Sequence, residues 1–431
     1  MKLWLLKYAM STRDKIAITD IFIESCLGSE IHDVHGAVLT NLSMAKVNKV
    51  VEVESDLDDS SVASICNSIG RFTNNNYIGR MDELLIDIFP KILNVISGDL
   101  KNKRVIFISI LPNSYTSRSE ILASDFYRDY YEEKLKLIPG IDDDYLKRKI
   151  GIKFCSDNSG VLRQLAKAVD MLHENKCDAI IFGGSDSLVN INTCNELYQC
   201  KNLKTEDQTA GTSPGEASAY LVLKSHSKAV KYKDNIYGLI DQISAMEEPN
   251  NGKASSSKMQ GLAKAIKNIL GSKGSEKDID SIFTSISTYK AEVLEWHQVE
   301  KQLIGEDTIN NNRVSTIIGS NEAQLAGREK YTQFNTQISL GDIGCATMPM
   351  LIGLAAYNNL YVKDMAHFGF ESANVDKKNI VCEMGNTLFR GAISILSHEE
   401  SRRKTFTPID MSNNPEISLP EEDEEELWAE M

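Results

Sequence analysis

The sequence predicts an α/β fold built from two halves of similar plan. Short apolar runs rich in Ile and Val recur along the chain, and Gly, Asp or Asn bound them, as is typical of buried strands. Helical patterns lie between these runs, and such alternation favours α/β layers. A polar stretch at 224–235 separates two series, each with a strand, a Gly-bounded turn, a buried helix and further strands. This similarity suggests an internal duplication.

The apolar runs give eight expected strands. They lie at 15–23, 104–111, 177–184, 217–225, 279–287, 335–340, 379–384 and 391–397. Each is too short for a long helix and is rich in residues that fit a buried sheet.

Three segments have helical periodicity. Residues 159–175 carry an apolar stripe with polar residues opposite, and 261–270 show the same pattern. Residues 346–362 are apolar almost all round, so we expect a buried helix there. Pro349 falls in its first turn, where a missing N–H group costs little.

These patterns divide the chain into four parts. They are a disordered leader at 1–14, an N-terminal half at 15–228 with a charged, aromatic excursion at 112–150, a C-terminal half at 235–397, and an acidic tail at 398–431. Translation starts at either Met1 or Met10. The excursion is expected to be helical.

The acidic tail has two interpretations. It holds seven acids between Glu421 and Glu430 and no base, as a disordered solubilising segment does. It is alternatively a short partner-binding peptide, because Leu427, Trp428 and Met431 are apolar anchors in an acidic setting.

Composition excludes several function classes. The formal net charge of -14 argues against nucleic acid or an anionic membrane as partner. No apolar stretch reaches the roughly 20 residues that cross a bilayer. The eight cysteines form no CxxC pair and no cluster at metal-ligand spacing. We therefore expect a cytoplasmic protein with reduced thiols and with neither metal nor cofactor.

One block carries the most specific motifs. Within residues 178–223, a strand ends in Gly183-Gly184, the polar loop Ser185-Asp186-Ser187 follows, and Pro214-Gly215-Glu216-Ala217 opens the next strand. A double Gly at a strand end permits close backbone approach. Glu216 is interpreted as a structural carboxylate that caps a turn or pairs across a dimer face.

This ordered set resembles the thiolase superfamily, specifically the β-ketoacyl-acyl-carrier-protein synthases. Residues 15–28 resemble the opening strand and turn of that family, 159–184 the buried helix after its nucleophile, and 338–356 its Leu-Gly-His segment. The resemblance covers residues 15–397. It implies a thiolase-like five-layer αβαβα fold that pairs as a homodimer, or as a heterodimer with a ketosynthase-like subunit.

The nucleophile of the family is missing. Its Cys-x-Ser-Gly elbow reads Asp157-Asn158-Ser159-Gly160 here, so an aspartate stands in the place of the cysteine. Aspartate is a good helix N-cap but a poor acyl carrier. Cys155 lies two residues earlier, at the expected end of a strand, and is a weak alternative nucleophile. Ser159 is weaker still, since no histidine base can be assigned to it.

The groups that stabilise the oxyanion and the enolate in that family are also altered. The Leu-Gly-His histidine is replaced by Asp342, and the lysine five residues before it by Gln337. The first histidine cannot be placed, although 285–288 offer only hydroxyls. The C-terminal gate reads Met384-Gly385-Asn386-Thr387. An anion cannot donate a hydrogen bond to another anion, so we expect no decarboxylative condensation.

Two functions remain open. The first is a non-catalytic binding, scaffold or adaptor subunit. For this function, the chain is similar to a divergent bacterial group that lacks the Cys-His-His triad, and some members of that group are linked to type VI secretion effectors. The second is an atypical acyltransferase or thioester-processing enzyme with Asp157, Asp342 or Glu216 as acid or base.

Overall fold

The computed structural model describes most of both predicted halves. The described residues are 7–8, 14–54, 61–101, 103–112, 133, 136, 149–156, 160–248, 260–271, 279–288, 290–304, 331–367, 378–384 and 389–398. Most of the predicted leader and excursion, and the tail beyond His398, lie outside them. Asp157 and Ser159 lie outside them as well.

The described strands and helices follow the predicted α/β alternation. The strands are β1 (Lys7–Tyr8), β2 (Ile16–Ser25), β3 (Lys46–Glu54), β4 (Ser61–Cys66), β5 (Val105–Leu111), β6 (Ile150–Ser156), β7 (Ala179–Ser187), β8 (Glu216–Ser225), β9 (Gly238–Glu247), β10 (Ile279–Thr284), β11 (Thr332–Asn335), β12 (Lys378–Glu383) and β13 (Phe389–Leu396). The helices are α1 (Ile31–Leu39), α2 (Tyr77–Ser97), α3 (Val161–His173), α4 (Ile191–Gln199), α5 (His226–Tyr232), α6 (Gly261–Leu270), α7 (Lys290–Ile304), α8 (Thr336–Leu340) and α9 (Thr347–His367). A 3₁₀ turn spans Gly344–Ala346.

The two halves repeat one sheet topology. In the N-terminal half the strand order is β6-β5-β7-β8-β2, and in the C-terminal half it is β11-β10-β12-β13-β9. In each half the strand last in sequence runs antiparallel to its two neighbours. The halves join where β2 pairs with β9, from Ile16 opposite Ile240 to Ile18 opposite Gly238. The identical order confirms the prediction of two similar halves.

Five layers result from the packing of the helices. The buried helices α3 and α9 both contact strands of the two halves, so they form the central layer. Helix α2 covers the outer side of the N-terminal sheet through Leu84, Ile88 and Ile92, all fully buried. Helix α6 covers the C-terminal sheet, with α7 packed beside it. The expected αβαβα arrangement is therefore confirmed, and α9 is buried as predicted.

One expected strand is wrong. Asn335 is the last residue of β11, and residues 336–340 form the short helix α8 directly after it. The Asn335 side chain accepts a hydrogen bond from the Gln337 N–H group at 3.3 Å, which is the geometry of a helix N-cap. Gly341, at φ +70°, ends the helix. Local capping therefore overrides the apolar pattern, and it turns the Gln337 side chain toward the following loop.

Candidate functional site

The Pro-Gly-Glu segment and the Leu-Gly-Asp loop lie side by side. The Gly215 N–H group donates to the Asp342 carbonyl at 2.8 Å, and the Asp342 N–H group donates to the Ser213 carbonyl at 2.8 Å. A Cβ atom at Gly215 would lie 2.1 Å from the Leu340 carbonyl oxygen, so only glycine fits there. Two motifs that lie far apart in the sequence thus meet through their backbones.

Asp186, in the loop after the double glycine, holds the same region. It is buried, and its carboxylate accepts from the Cys345 N–H group at 3.2 Å and from the Tyr77 hydroxyl at 3.3 Å. A Cβ atom at Gly344 would lie 1.8 Å from Asp186 Oδ2. These contacts hold the end of β7 against the Leu-Gly-Asp loop, so Asp186 has a structural role here.

Glu216 has the surroundings of a structural carboxylate. It is fully buried, and its Oε1 accepts from the Ile69 N–H group at 2.7 Å and from Arg80 at 3.1 Å. Its Oε2 accepts from the Ser187 hydroxyl at 2.8 Å. Burial raises the pKa of Glu216, while the Arg80 charge and the hydrogen bonds lower it. Both oxygens are thus engaged within the chain itself.

Gln337 and Asp342 come together as the sequence suggested, and Ser285 joins them. With its amide oriented to satisfy both ends, Gln337 Nε2 donates to Ser285 Oγ at 3.0 Å and to the Gly341 carbonyl at 3.2 Å. Gln337 Oε1 accepts from the Asp342 N–H group at 3.2 Å. Ser285 follows β10 directly, so it is the member of the hydroxyl stretch that reaches this cluster. The three side chains are a hydroxyl, an amide and a carboxylate.

A series of carboxylates leads from this cluster to Arg390. Glu292 accepts from the Ser287 N–H group and hydroxyl, both at 2.8 Å. Burial raises the pKa of Glu292, the Ser287 bonds lower it, and the charges of Asp342 and Glu295 raise it further. Glu295 is buried and ion-paired with Arg390 at 2.5 Å. No sequence motif marks Glu292, Glu295 or Arg390 as neighbours of this cluster.

A carboxylate also occupies the start of α3. Glu383, the last residue of β12, is 4% exposed and accepts from the Val161 and Leu162 N–H groups, the second at 3.2 Å. Burial raises the pKa of Glu383 to about 7, against the lowering effect of these hydrogen bonds and of Arg390. Two of the four N–H groups left open at the helix start therefore have an internal acceptor.

The surrounding residues make room for Glu383. Gly391 lies opposite it in the ladder, and a Cβ atom there would lie 3.1 Å from Glu383 Oε2 and 2.8 Å from Leu162 Cδ1. Gly160, at φ +80°, packs against Phe389 so closely that a Cβ atom would lie 2.9 Å from its ring. No sequence pattern marks Glu383, because it lies 222 residues from Val161.

Cys155 lies near the end of β6, as expected, and is half-buried. Burial raises the pKa of its thiol, although Lys167 and Lys153 lower it. A reactive cysteine needs the opposite shift.

Metal-ligand clusters and membrane-spanning helices are both absent from the described parts of the chain. In the described ranges, no group of three or more His, Cys, Asp or Glu side chains is placed to hold a metal ion. None of the helices described above combines the length and apolar character needed to cross a membrane.

Solved structures of ketosynthases resemble this chain. A chain of the complex between a type II polyketide synthase acyl-carrier protein and its ketosynthase, bound to the hexaketide, has a TM-score of 0.60 at 11% identity, over 90% of this chain and 100% of that chain. The ketosynthase from module 6 of the Bacillus subtilis bacillaene synthase has a TM-score of 0.62 at 12% identity, over 90% and 72%. Ketosynthase twelve of the Bacillus amyloliquefaciens bacillaene synthase has 0.56 at 14%, over 90% and 74%. No family model and no curated protein matches the sequence. At these identities the likeness establishes the fold, a ketosynthase-type thiolase-like fold.

Proposed function

We propose that this chain is a ketosynthase-like protein without condensing activity, which works by binding as a scaffold or adaptor subunit. The observation that carries the proposal is the Glu383 carboxylate at the start of α3. In ketosynthases, that helix start favours the thiolate of the nucleophile. Here the Glu383 carboxylate accepts from the Val161 and Leu162 N–H groups at that helix start.

At pH 8, where Glu383 with its pKa of about 7 is mostly ionised, a second anion beside it would be strongly disfavoured. Two unit charges 4 Å apart repel by roughly 4 kcal/mol at an effective dielectric constant of about 20. This is enough to raise a neighbouring thiol pKa by about 3 units. An acyl-thioester oxyanion would meet the same repulsion.

The Ser285, Gln337 and Asp342 cluster supports the same conclusion. The histidines and the lysine of ketosynthases would donate hydrogen bonds or positive charge to an enolate. The Asp342 carboxylate instead accepts from the Gly344 N–H group at 3.0 Å, and it raises the pKa of Glu292. Only the Ser285 hydroxyl and the Gln337 amide remain as side-chain donors, and they bond to each other.

Strand β6 is the proposed pairing edge. Among the described strands it pairs with β5 alone, and its exposed residues include Gly151 and Lys153. A sheet edge of this kind can take a further strand. The partner is a second copy or a ketosynthase-like subunit, and by resemblance the finer role is that of an adaptor for a type VI secretion effector.

Acyl transfer assays test the loss of chemistry. The full chain is incubated with radiolabelled acyl and malonyl thioesters of an acyl-carrier protein, with an active ketosynthase as positive control. We expect neither label on the protein nor a condensation product. A stable acyl group on Cys155, or any condensation product, would overturn the proposal.

Two variants test whether Glu383 prevents acyl transfer to the start of α3. Asp157→Cys restores the family nucleophile, and we expect it to stay unlabelled by the acyl thioester. At pH 8, Asp157→Cys combined with Glu383→Gln is expected to take up label at least tenfold faster than Asp157→Cys alone, because the helix start then has no competing charge. Equal labelling of both variants would show that Glu383 does not block the position.

Light scattering after size-exclusion chromatography tests the pairing. A homodimer has twice the 48.0 kDa mass of the chain. A monomer that stays a monomer when mixed with ketosynthase-like proteins from the same host would contradict the proposed pairing.

A further inference from the structure

A compact group of cations surrounds one exposed aromatic ring on the N-terminal half. Lys103 Nζ lies 3.8 Å from the centre of the Tyr232 ring, and Lys231 Nζ lies 5.9 Å from it. Lys228 and Arg104 flank them through a shared carboxylate, Asp178, at 3.1 and 3.5 Å. We call Lys103, Arg104, Lys228, Lys231 and Tyr232 the α5 patch.

The α5 patch is positive in a strongly acidic protein. Two of its four cations, Arg104 and Lys228, are ion-paired with Asp178, while the whole chain has a formal net charge of -14. Lys103 and Lys231 lower the pKa of Tyr232, as a positive local field does. Tyr232 is 50% exposed, and Val230 on the same helix is 38% exposed. The surface thus combines positive charge with exposed apolar groups, which suits an acidic segment that carries an aromatic anchor.

The chain leaves its last described strand beside this patch. Leu396, at the end of β13, packs against a cluster that contains Ala229 of α5. His398, the last residue described, lies with its ring centre 4.9 Å from that of His226, the first residue of α5. The tail therefore begins at one end of the helix that carries the patch.

We propose that the acidic C-terminal segment of this chain, residues 421–430, docks on the α5 patch of the same molecule. The segment has seven acids and no base, with Leu427 and Trp428 after the acidic run. Its carboxylates match the four cations, and Trp428 matches Tyr232 and the lysines around it. Each exposed ion pair contributes only about 0.2–1 kcal/mol, so several must act together.

The length of the connection allows this docking. Residues 399–420 number 22, and a random coil of that length would have an end-to-end distance of about 25 Å. Helix α5 has seven residues and is about 10 Å long, and its first residue already contacts His398. A connection of this length would give the segment an effective concentration on the order of millimolar at the patch.

Zero-length carbodiimide crosslinking of the full chain, followed by peptide mass spectrometry, tests the contact. We expect amide crosslinks from residues 421–426 to Lys103, Lys228 and Lys231, and at least a fivefold loss of them in 0.5 M salt, because salt screens exposed charges. The exposed Lys264 and Lys267 on α6 are the internal control. Crosslinks to these two at equal yield, or crosslinks confined to Lys404 within the tail, would overturn the proposal.

An equal mixture of ¹⁴N- and ¹⁵N-labelled protein identifies the molecule that supplies the tail. Crosslinked peptides of a single label support docking within one molecule. Mixed-label peptides at the statistical half would assign the patch to the tail of a second copy and would overturn the proposal.

Matched variants test the docking further, by crosslinking and by hydrogen exchange. The charge reversal Lys103→Glu with Lys231→Glu is expected to abolish the crosslinks to Lys228. Neutralising the acids at 421–426 with Gln and Asn is expected to speed amide exchange across α5 at least twofold, with α6 unchanged. The control Lys264→Glu with Lys267→Glu is expected to preserve the crosslinks. Unchanged crosslinking and exchange in the first two variants would refute the docking.

Discussion

Ionisation of Glu383 is expected to lower the stability of the fold as pH rises. Its pKa is raised from 4.5 to about 7, with burial as the largest cause. For a raised pKa, the stabilising contribution is fully present below pH 4.5 and is lost as pH rises through about 7. Raising the pKa from 4.5 to about 7, at about 1.36 kcal/mol per pH unit, corresponds to about 3 kcal/mol.

Glu383→Gln removes this titration and preserves the shape of the side chain. Urea unfolding, followed by far-ultraviolet circular dichroism from pH 4.5 to pH 8, gives the free energy of unfolding of both proteins. Subtracting the variant from the parent cancels the other groups, among them Asp20, whose pKa burial raises to about 6. The difference is expected to fall by about 3 kcal/mol over this range.

Glu206→Gln, at an exposed position, is the control and is expected to leave the pH profile unchanged. Parallel profiles of parent and Glu383→Gln would refute the reasoning. So would a parent that gains stability over the variant as pH rises, since the helix N–H groups would then hold the Glu383 pKa below its ordinary value.

Three other outcomes are expected. Arg80→Met removes the charged partner of the buried Glu216 carboxylate and should lower the free energy of unfolding, measured in urea, by about 3–5 kcal/mol. The double variant Arg80→Met with Glu216→Leu removes both charges and should recover most of that loss. Gly344→Ala, whose Cβ atom would lie 1.8 Å from a carboxylate oxygen, should lower the thermal midpoint far more than Gly271→Ala, which has a positive φ but open space. Equal shifts for the two would place the whole effect in backbone strain. Cys155 should react with iodoacetamide more slowly than a free cysteine at pH 7, because burial raises its pKa, and faster alkylation would contradict that assignment.

Local sequence patterns predicted the helices and strands whose apolar periodicity can be seen within a short stretch of sequence. Residues 261–270 form a helix with the predicted bounds, and the strand at 391–397 lies almost wholly within β13. Strands β1, β3, β4, β9 and β11 were not predicted, and β6 was expected only as the strand that ends near Cys155. The prediction of a strand at 335–340 was wrong because the Asn335 N-cap starts a helix there, and apolar spacing does not reveal a cap.

The candidate site was predicted only in part. The resemblance to ketosynthases marked Gln337 and Asp342, which hydrogen-bond as neighbours in the structure. It could not place the first histidine of the family, and the structure shows that the Ser285 hydroxyl lies within hydrogen-bond distance of Gln337. The altered elbow at Asp157 stays a prediction, since that residue lies outside the described part of the chain.

The sequence by itself determined the α/β class and the two similar halves, because periodicity and motif order are local properties of the chain. The tertiary structure alone decided which charges meet. Glu383 caps α3 across 222 residues of sequence, and Arg390 lies between it and Glu295. Contacts of this kind depend on how sheets and helices stack, since a carboxylate reaches a distant helix start only after both layers have packed.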